Sequence, residues 1–243
     1  MTIFSKPRKA ATVALIRDSS SLNDIEVLLM KRHPDDRFLP GYHVFPGGAV
    51  DENDVPQCRN FDQYIDGLNL DFIEDKINYI THVMCAIRET FEESGILLAD
   101  SHGTYFSMDA PDVHERFSLY RKKVFKGEIS MSQMLLQENL EPSFKSLHYI
   151  TRWVTPVYSP IRYDTRFFVA ISPAEQKTCH DGDELISSEW MTPGDALGKY
   201  RKGRMKFVTP TINTLEFLAK FKSTGDAVNY FSDESVSSPA RSF

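Results

Sequence analysis

Residues 80–93 constrain this chain most: Ile80, Val83, Met84, Ile87 and Phe91 recur at steps of three and four, the spacing of one face of an α-helix. A segment patterned in this way must lay that face against a core. Beside the stripe, the run RETFEESGI sets Glu89, Glu92 and Glu93 within about one turn of each other, directly ahead of Gly95. Like charges so spaced weaken a helix by roughly 0.2–0.5 kcal/mol per pair. A divalent cation reverses that sign, and clustered carboxylate oxygens suit Mg²⁺ or Mn²⁺. A solvated helix face is the ordinary fate of an isolated acidic triplet, so residues elsewhere in the chain decide between the two.

Upstream, HVFPGGAVDENDV places a Phe-Pro-Gly-Gly turn ahead of a second acidic group, Asp51, Glu52 and Asp54. Together with RETFEESGI it resembles the Nudix box. Arg88, Glu89, Glu92, Glu93, Gly95 and Ile96 match the second half of that pattern, and Gly48 brings Asp54 to the position where the family has glutamate. Thr90 stands where an aliphatic residue is usual, and an insertion at about residues 55–77 splits the box. The resemblance implies an α/β chain, a Nudix-type α/β/α sandwich with a mixed β-sheet, and metal-dependent hydrolysis of a pyrophosphate bond. It makes Glu92 and Glu93 metal ligands, Glu89 a further ligand or the catalytic base, and Arg88 the partner that holds a box glutamate in one rotamer. Gly47 and Gly48, free to take positive φ, would let the backbone turn tightly towards metal or phosphate. Asp51, Asp54 and, from a late loop, Glu184 are the additional candidate acids.

Arg32, Arg37 and Gly41 precede FPGG much as a motif does in Nudix enzymes that hydrolyse coenzyme A, and RWVTP and YDTRFFVA resemble a subgroup containing peroxisomal coenzyme A diphosphatases. The implied substrate is coenzyme A or acyl-coenzyme A, giving 3′,5′-ADP and (acyl-)phosphopantetheine. Arg32 and Arg37 would bind the 3′-phosphate, since a planar guanidinium can grip it with two bonds. ADP-ribose, NADH or a dinucleoside polyphosphate would use the same acids with other loops. A non-catalytic nucleotide-sensing Nudix domain is the reading from a different class, but a sensor could discard the acids.

With 243 residues, 41% hydrophobic and 26% charged, the chain can build one large core. The expectation is a single domain over 1–231 and a disordered tail over 232–243. A net charge of −6 argues against a general nucleic-acid binder. The expected partner is a small nucleotide, with neither nucleic acid nor membrane, and a homodimer stays open. Cys58, Cys85 and Cys179 have unrelated spacings, which points away from a disulfide framework or zinc site and to a reducing compartment. The chain ends in RSF rather than a peroxisomal tripeptide, so the expected location is cytoplasmic.

AATVALIR and IEVLLMK, separated by the turn formers SSSLND, read as adjacent antiparallel strands, and a short strand ends at Phe45. DVHERFSLYRKKVF and SMSQMLLQ read as a helical insert at about 111–140, turning near Gly127. TRWVTP, TRFFVAIS and ELISSEW follow as strands, then TPGDALGKY and TINTLEFLAKF as helices, each opening at a threonine with proline beside it. Asp164 is expected to pair with Arg162 or Arg166, and Lys199 to Lys206 to form a solvated helix end and turn.

Overall fold

The computed structural model describes residues 5–21, 23–55, 75–180 and 185–232. Residues 56–74 of the insertion expected at about 55–77, the candidate acid Glu184, and residues 233–243 of the expected tail over 232–243 lie outside them.

Strand β1 (Arg8–Asp18) organises the fold. It runs parallel to β9 (Tyr163–Ile171) from Arg8 to Ile16, while its other edge is shared between two strands. There Ala10–Thr12 pair antiparallel with β4 (Gly47–Ala49), and Ile16–Asp18 pair antiparallel with β2 (Ile25–Arg32). At the fork between them, Val13 N–H donates to Pro46 O at 2.9 Å. β3 (His43–Val44) and β10 (Leu185–Met191) pair with β2, and β8 (His148–Val154) pairs with β9, completing a mixed sheet of seven strands.

Period-two alternation divides the core. Ala11, Val13, Leu15, Leu28, Met30 and Phe168 face one layer of helices, and Ala14, Ile16, Ile25, Val27, Leu29 and Val169 face the other. The first layer holds α1 (Lys76–Ser94), whose Ile80, Val83, Met84, Ile87 and Phe91 are all buried as the periodicity predicts. Each such side chain contributes roughly 1.5–3 kcal/mol. Asp75 caps α1 by accepting from Asn78 N–H, and Gly95 ends it with φ 75°, a left-handed geometry suited to glycine. The insert helices α2 (Pro111–Phe125) and α3 (Met131–Gln137) turn at Gly127 and add Phe117, Val124, Met131 and Met134 to the same cluster. On the other face lie α4 (Pro193–Arg201), α5 (Thr209–Leu218) and α6 (Thr224–Ser232). The layers form the expected α/β/α sandwich. Among the described residues, no helix is long and apolar enough to cross a membrane.

Two local expectations are corrected. Thr192 caps α4 as predicted, but α5 starts earlier than Thr211, after Val208, with no side-chain cap. Asp164 pairs with Arg152, through two bonds of 2.6 Å, because the β8–β9 ladder sets Arg152 opposite Arg166 and so diagonal to Asp164 on the same face. After α1, β5 (Ala99–Ser101) and β6 (Thr104–Tyr105) join β7 (Glu141–Pro142) in a second, small sheet.

Candidate functional site

The last turns of α1 carry the acids, and Arg88 is their hub. Its Nε and Nη2 donate to both oxygens of Asp54 at 2.8 and 3.0 Å, and Nη2 also reaches Ala49 O at 2.9 Å. Nη1 lies 2.9 Å from Glu89 Oε1 and 3.0 Å from Glu92 Oε2. Burial opposes the charge on Arg88, but Asp54 and Glu89 outweigh it and hold the guanidinium protonated. Burial pushes the Glu89 carboxyl up to about 7 against the pull of Arg88, and raises Glu92 in the same way.

The glycine strand forms the opposite wall. Gly47 N–H donates to Glu93 Oε2 at 2.8 Å, and Gly48 lies so close to Glu89 that an added Cβ would fall 2.6 Å from its Cδ. A Cβ at Gly47 would strike the Ala11 carbonyl and lie 2.6 Å from Thr12 Cα. Positive φ holds for Gly47, at 157°, but not for Gly48. Gly48 is an ordinary position of β4 whose missing Cβ leaves room for the Glu89 carboxylate, whereas at Gly47 the β1 backbone leaves no room for one. Thr12 Oγ1 donates to Pro46 O at 2.7 Å and anchors the Pro-Gly-Gly turn.

A cavity of about 360 Å³ opens at the fork in β1. Thr12, Gly47, Gly48, Glu89 and Glu93 line it, and Arg32, Phe38, Tyr163 and Phe167 are among its other walls. The Phe38 and Tyr163 rings meet edge to face, with centroids 5.2 Å apart. Arg32 is held from behind, donating to Phe38 O at 2.9 Å and to Asp36 at 2.5 Å. Arg37 is exposed and does not line the cavity. Asp51 is exposed and caps the short 3₁₀ turn Glu52–Asp54, whereas Asp54 is buried against Arg88. Glu184 lies outside the described residues.

A divalent cation is implied by the box. Among the described residues, no three His, Cys, Asp or Glu side chains converge tightly enough to enclose an ion, and Arg88 stands among the acids as their counter-charge. The donor set still fits such an ion. Glu89 and Glu93 present hard oxygens to the cavity beside a glycine strand, and burial holds the Glu89 carboxyl near 7 despite its ion pair with Arg88. Thr90, where an aliphatic residue was expected in the box, is fully buried and its hydroxyl lacks a partner among the described residues.

One contributor was invisible in the motif. Arg121, on α2, donates from Nε to Glu92 O at 2.8 Å and from Nη2 to Glu93 O at 2.9 Å.

The model of the NUDT19 Nudix domain matches residues 71–218, more than half of the chain. The acyl-coenzyme A diphosphatase NUDT19 of Xenopus laevis is 28% identical over 249 residues, covering 89% of this chain and 66% of that protein. The human protein of the same name is 23% identical over 239 residues, covering 82% of this chain and 62% of its own. The chain therefore spans less than two thirds of the length of these two relatives. The crystal structure of a NUDIX hydrolase from Alicyclobacillus acidocaldarius superposes with a TM-score of 0.74 at 32% identity, covering 93% of this chain and 96% of that one.

Proposed function

We propose that this chain, which belongs to the Nudix hydrolase family, hydrolyses the pyrophosphate bond of coenzyme A or acyl-coenzyme A to 3′,5′-ADP and (acyl-)phosphopantetheine. The observation that carries the reading is the convergence of Glu89, Glu93 and the Gly47–Gly48 strand in the lining of a cavity also walled by Arg32 and two aromatic rings. Acids and glycines suit a phosphoanhydride. Phe38 and Tyr163 offer an apolar shelf to a nucleobase, and Arg32 offers a cation to a phosphate. The relatives named as acyl-coenzyme A diphosphatases support this choice of substrate.

Glu92 and Glu93 would hold a divalent cation, Mg²⁺ or Mn²⁺, with Glu89 as a further ligand or as the acceptor of the attacking water's proton. Such a cation neutralises phosphoryl oxygens and activates water. Arg88 orients the acids: its bonds to Asp54 fix the guanidinium, which in turn fixes Glu89 and Glu92. Gly47 N–H holds Glu93 from the opposite side.

The test is incubation with Mg²⁺ or Mn²⁺ and, separately, coenzyme A, acyl-coenzyme A, ADP-ribose, NADH and diadenosine polyphosphates, with products identified by mass. The expected products are 3′,5′-ADP and the phosphopantetheine moiety. Rapid cleavage of ADP-ribose with coenzyme A untouched would overturn the substrate, and no turnover of any of them would favour a sensor.

A further inference from the structure

The last turn of a helix leaves four carbonyls without intrahelical partners, and in α1 two of these belong to Glu92 and Glu93. All four are satisfied. Gly95 N–H donates to Phe91 O and Cys179 N–H to Ser94 O, at 3.0 and 2.8 Å. The middle pair is taken by one side chain, Arg121, whose Nε and Nη2 bind the carbonyls of Glu92 and Glu93 at 2.8 and 2.9 Å.

We infer that Arg121 is a positioning residue that holds the backbone of Glu92 and Glu93 so that their carboxylates can share a divalent cation. The inference rests on the proposed ligand role of those two glutamates. Terminal helical turns fray, whereas a ligand pair must be held to about half an ångström. Two bonds from one planar guanidinium fix consecutive peptide units in translation and rotation. Its positive charge also offsets the negative end of the helix dipole, where carboxylates are least favoured. Arg121 is itself anchored, because Phe117 and Val124, on the same helix, are buried in the cluster that packs on α1. Gly95 clears its path: a Cβ there would lie 3.3 Å from Arg121 Nη1. The insert helices would therefore support the site through one side chain that never enters the cavity.

The test is titration of the full chain with Mn²⁺ alone, following free Mn²⁺ by electron paramagnetic resonance, beside thermal unfolding of each variant. Arg121→Ala should weaken Mn²⁺ binding about tenfold, as loss of outer support does at metal sites, with Arg121→Lys intermediate. Gln176→Ala removes bonds to Leu97 and Phe106 without touching Glu92 or Glu93. It should lower the melting temperature and leave Mn²⁺ affinity unchanged, which separates positioning from general stability. If Arg121→Ala does not fold, Arg121→Lys against the parent decides by the same criterion. Parental Mn²⁺ affinity in the Arg121 variants, with binding lost in Glu92→Gln, overturns the inference and leaves the proposed function standing. Mn²⁺ binding unchanged in Glu92→Gln as well as in the Arg121 variants overturns both.

Discussion

Asp54 and Arg88 meet through two parallel hydrogen bonds of 2.8 and 3.0 Å, with the Asp54 side chain 1% exposed and that of Arg88 12%. The acid at the first-half position of the box is thus committed to the arginine of the second half, across the insertion that separates them in sequence. Through Arg88 it reaches Glu89 and Glu92.

Removing one member of a buried pair leaves the other charge uncompensated, at a cost of about 3 kcal/mol or more. Asp54→Ala is therefore expected to lower unfolding stability in urea by that order and to reduce turnover with it. Asp54→Glu, which restores the residue usual in the family, should keep most of both. If Asp54→Ala had parental stability and turnover, the pair would have no organising role.

Gly47 and Gly48 should respond differently to alanine. At Gly48 the new methyl would meet the end of the flexible Glu89 side chain, which can swing away. Turnover should fall by an order of magnitude or more, with circular dichroism and melting temperature near parental values. At Gly47 the methyl would meet the β1 backbone at Ala11 and Thr12, which cannot yield locally. That variant should be destabilised by about 1–3 kcal/mol, as overpacking usually is. Equal stability losses in the two variants would contradict this division.

His82 is 2% exposed, and its Nδ1 lies 2.6 Å from the carbonyl of Asn78. Burial lowers its pKa to about 4. The Asn78 carbonyl and Asp164 oppose that shift, while Arg166 and Lys9 add to it. A histidine depressed below its ordinary value of 6.5 favours the neutral form, so its stabilising effect is complete above pH 6.5. The effect is lost as pH falls towards 4. Melting temperature should decline over that window, and His82→Leu should flatten the decline. An unchanged slope in the variant would assign the acid sensitivity to other groups.

The parts legible in the sequence are those governed by short-range periodicity. The stripe from Ile80 to Phe91 predicted α1 and its buried face, and the β-rich runs AATVALIR and IEVLLMK predicted the antiparallel pair of β1 and β2. What escaped depends on distant pairing. Asp164 was matched to arginines near it in sequence, yet the β8–β9 ladder supplies Arg152. The strands β5 to β7 are two or three residues long, too short for a period to register. Glycine chemistry suggested positive φ at Gly47–Gly48, which Gly47 adopts, whereas the close approach of Thr12 to Gly47 and of Glu89 to Gly48 was not legible. Arg121 reaches the site from an insert helix, and nothing in a string of residues reports that approach.

Arg32 is the residue through which substrate choice can be read. Its guanidinium lines the cavity while held by Asp36 and by the Phe38 carbonyl, so it is already oriented before any ligand arrives. A hydrogen bond to a charged group contributes about 1.5–3 kcal/mol. If Arg32 binds the 3′-phosphate of coenzyme A, Arg32→Gln should raise KM for coenzyme A about tenfold or more. KM for 3′-dephospho-coenzyme A, which lacks that group, should hardly change, and kcat should be retained for both. Because Arg32 also ties down the loop that carries Phe38, loosening of that loop is a competing cause. It would raise KM for both compounds alike. Asp36→Asn provides the comparison, since it weakens the tie and keeps the guanidinium, and it should preserve the preference for coenzyme A over its dephospho form. Equal effects of Arg32→Gln on the two substrates would remove Arg32 from phosphate recognition and confine it to holding the loop.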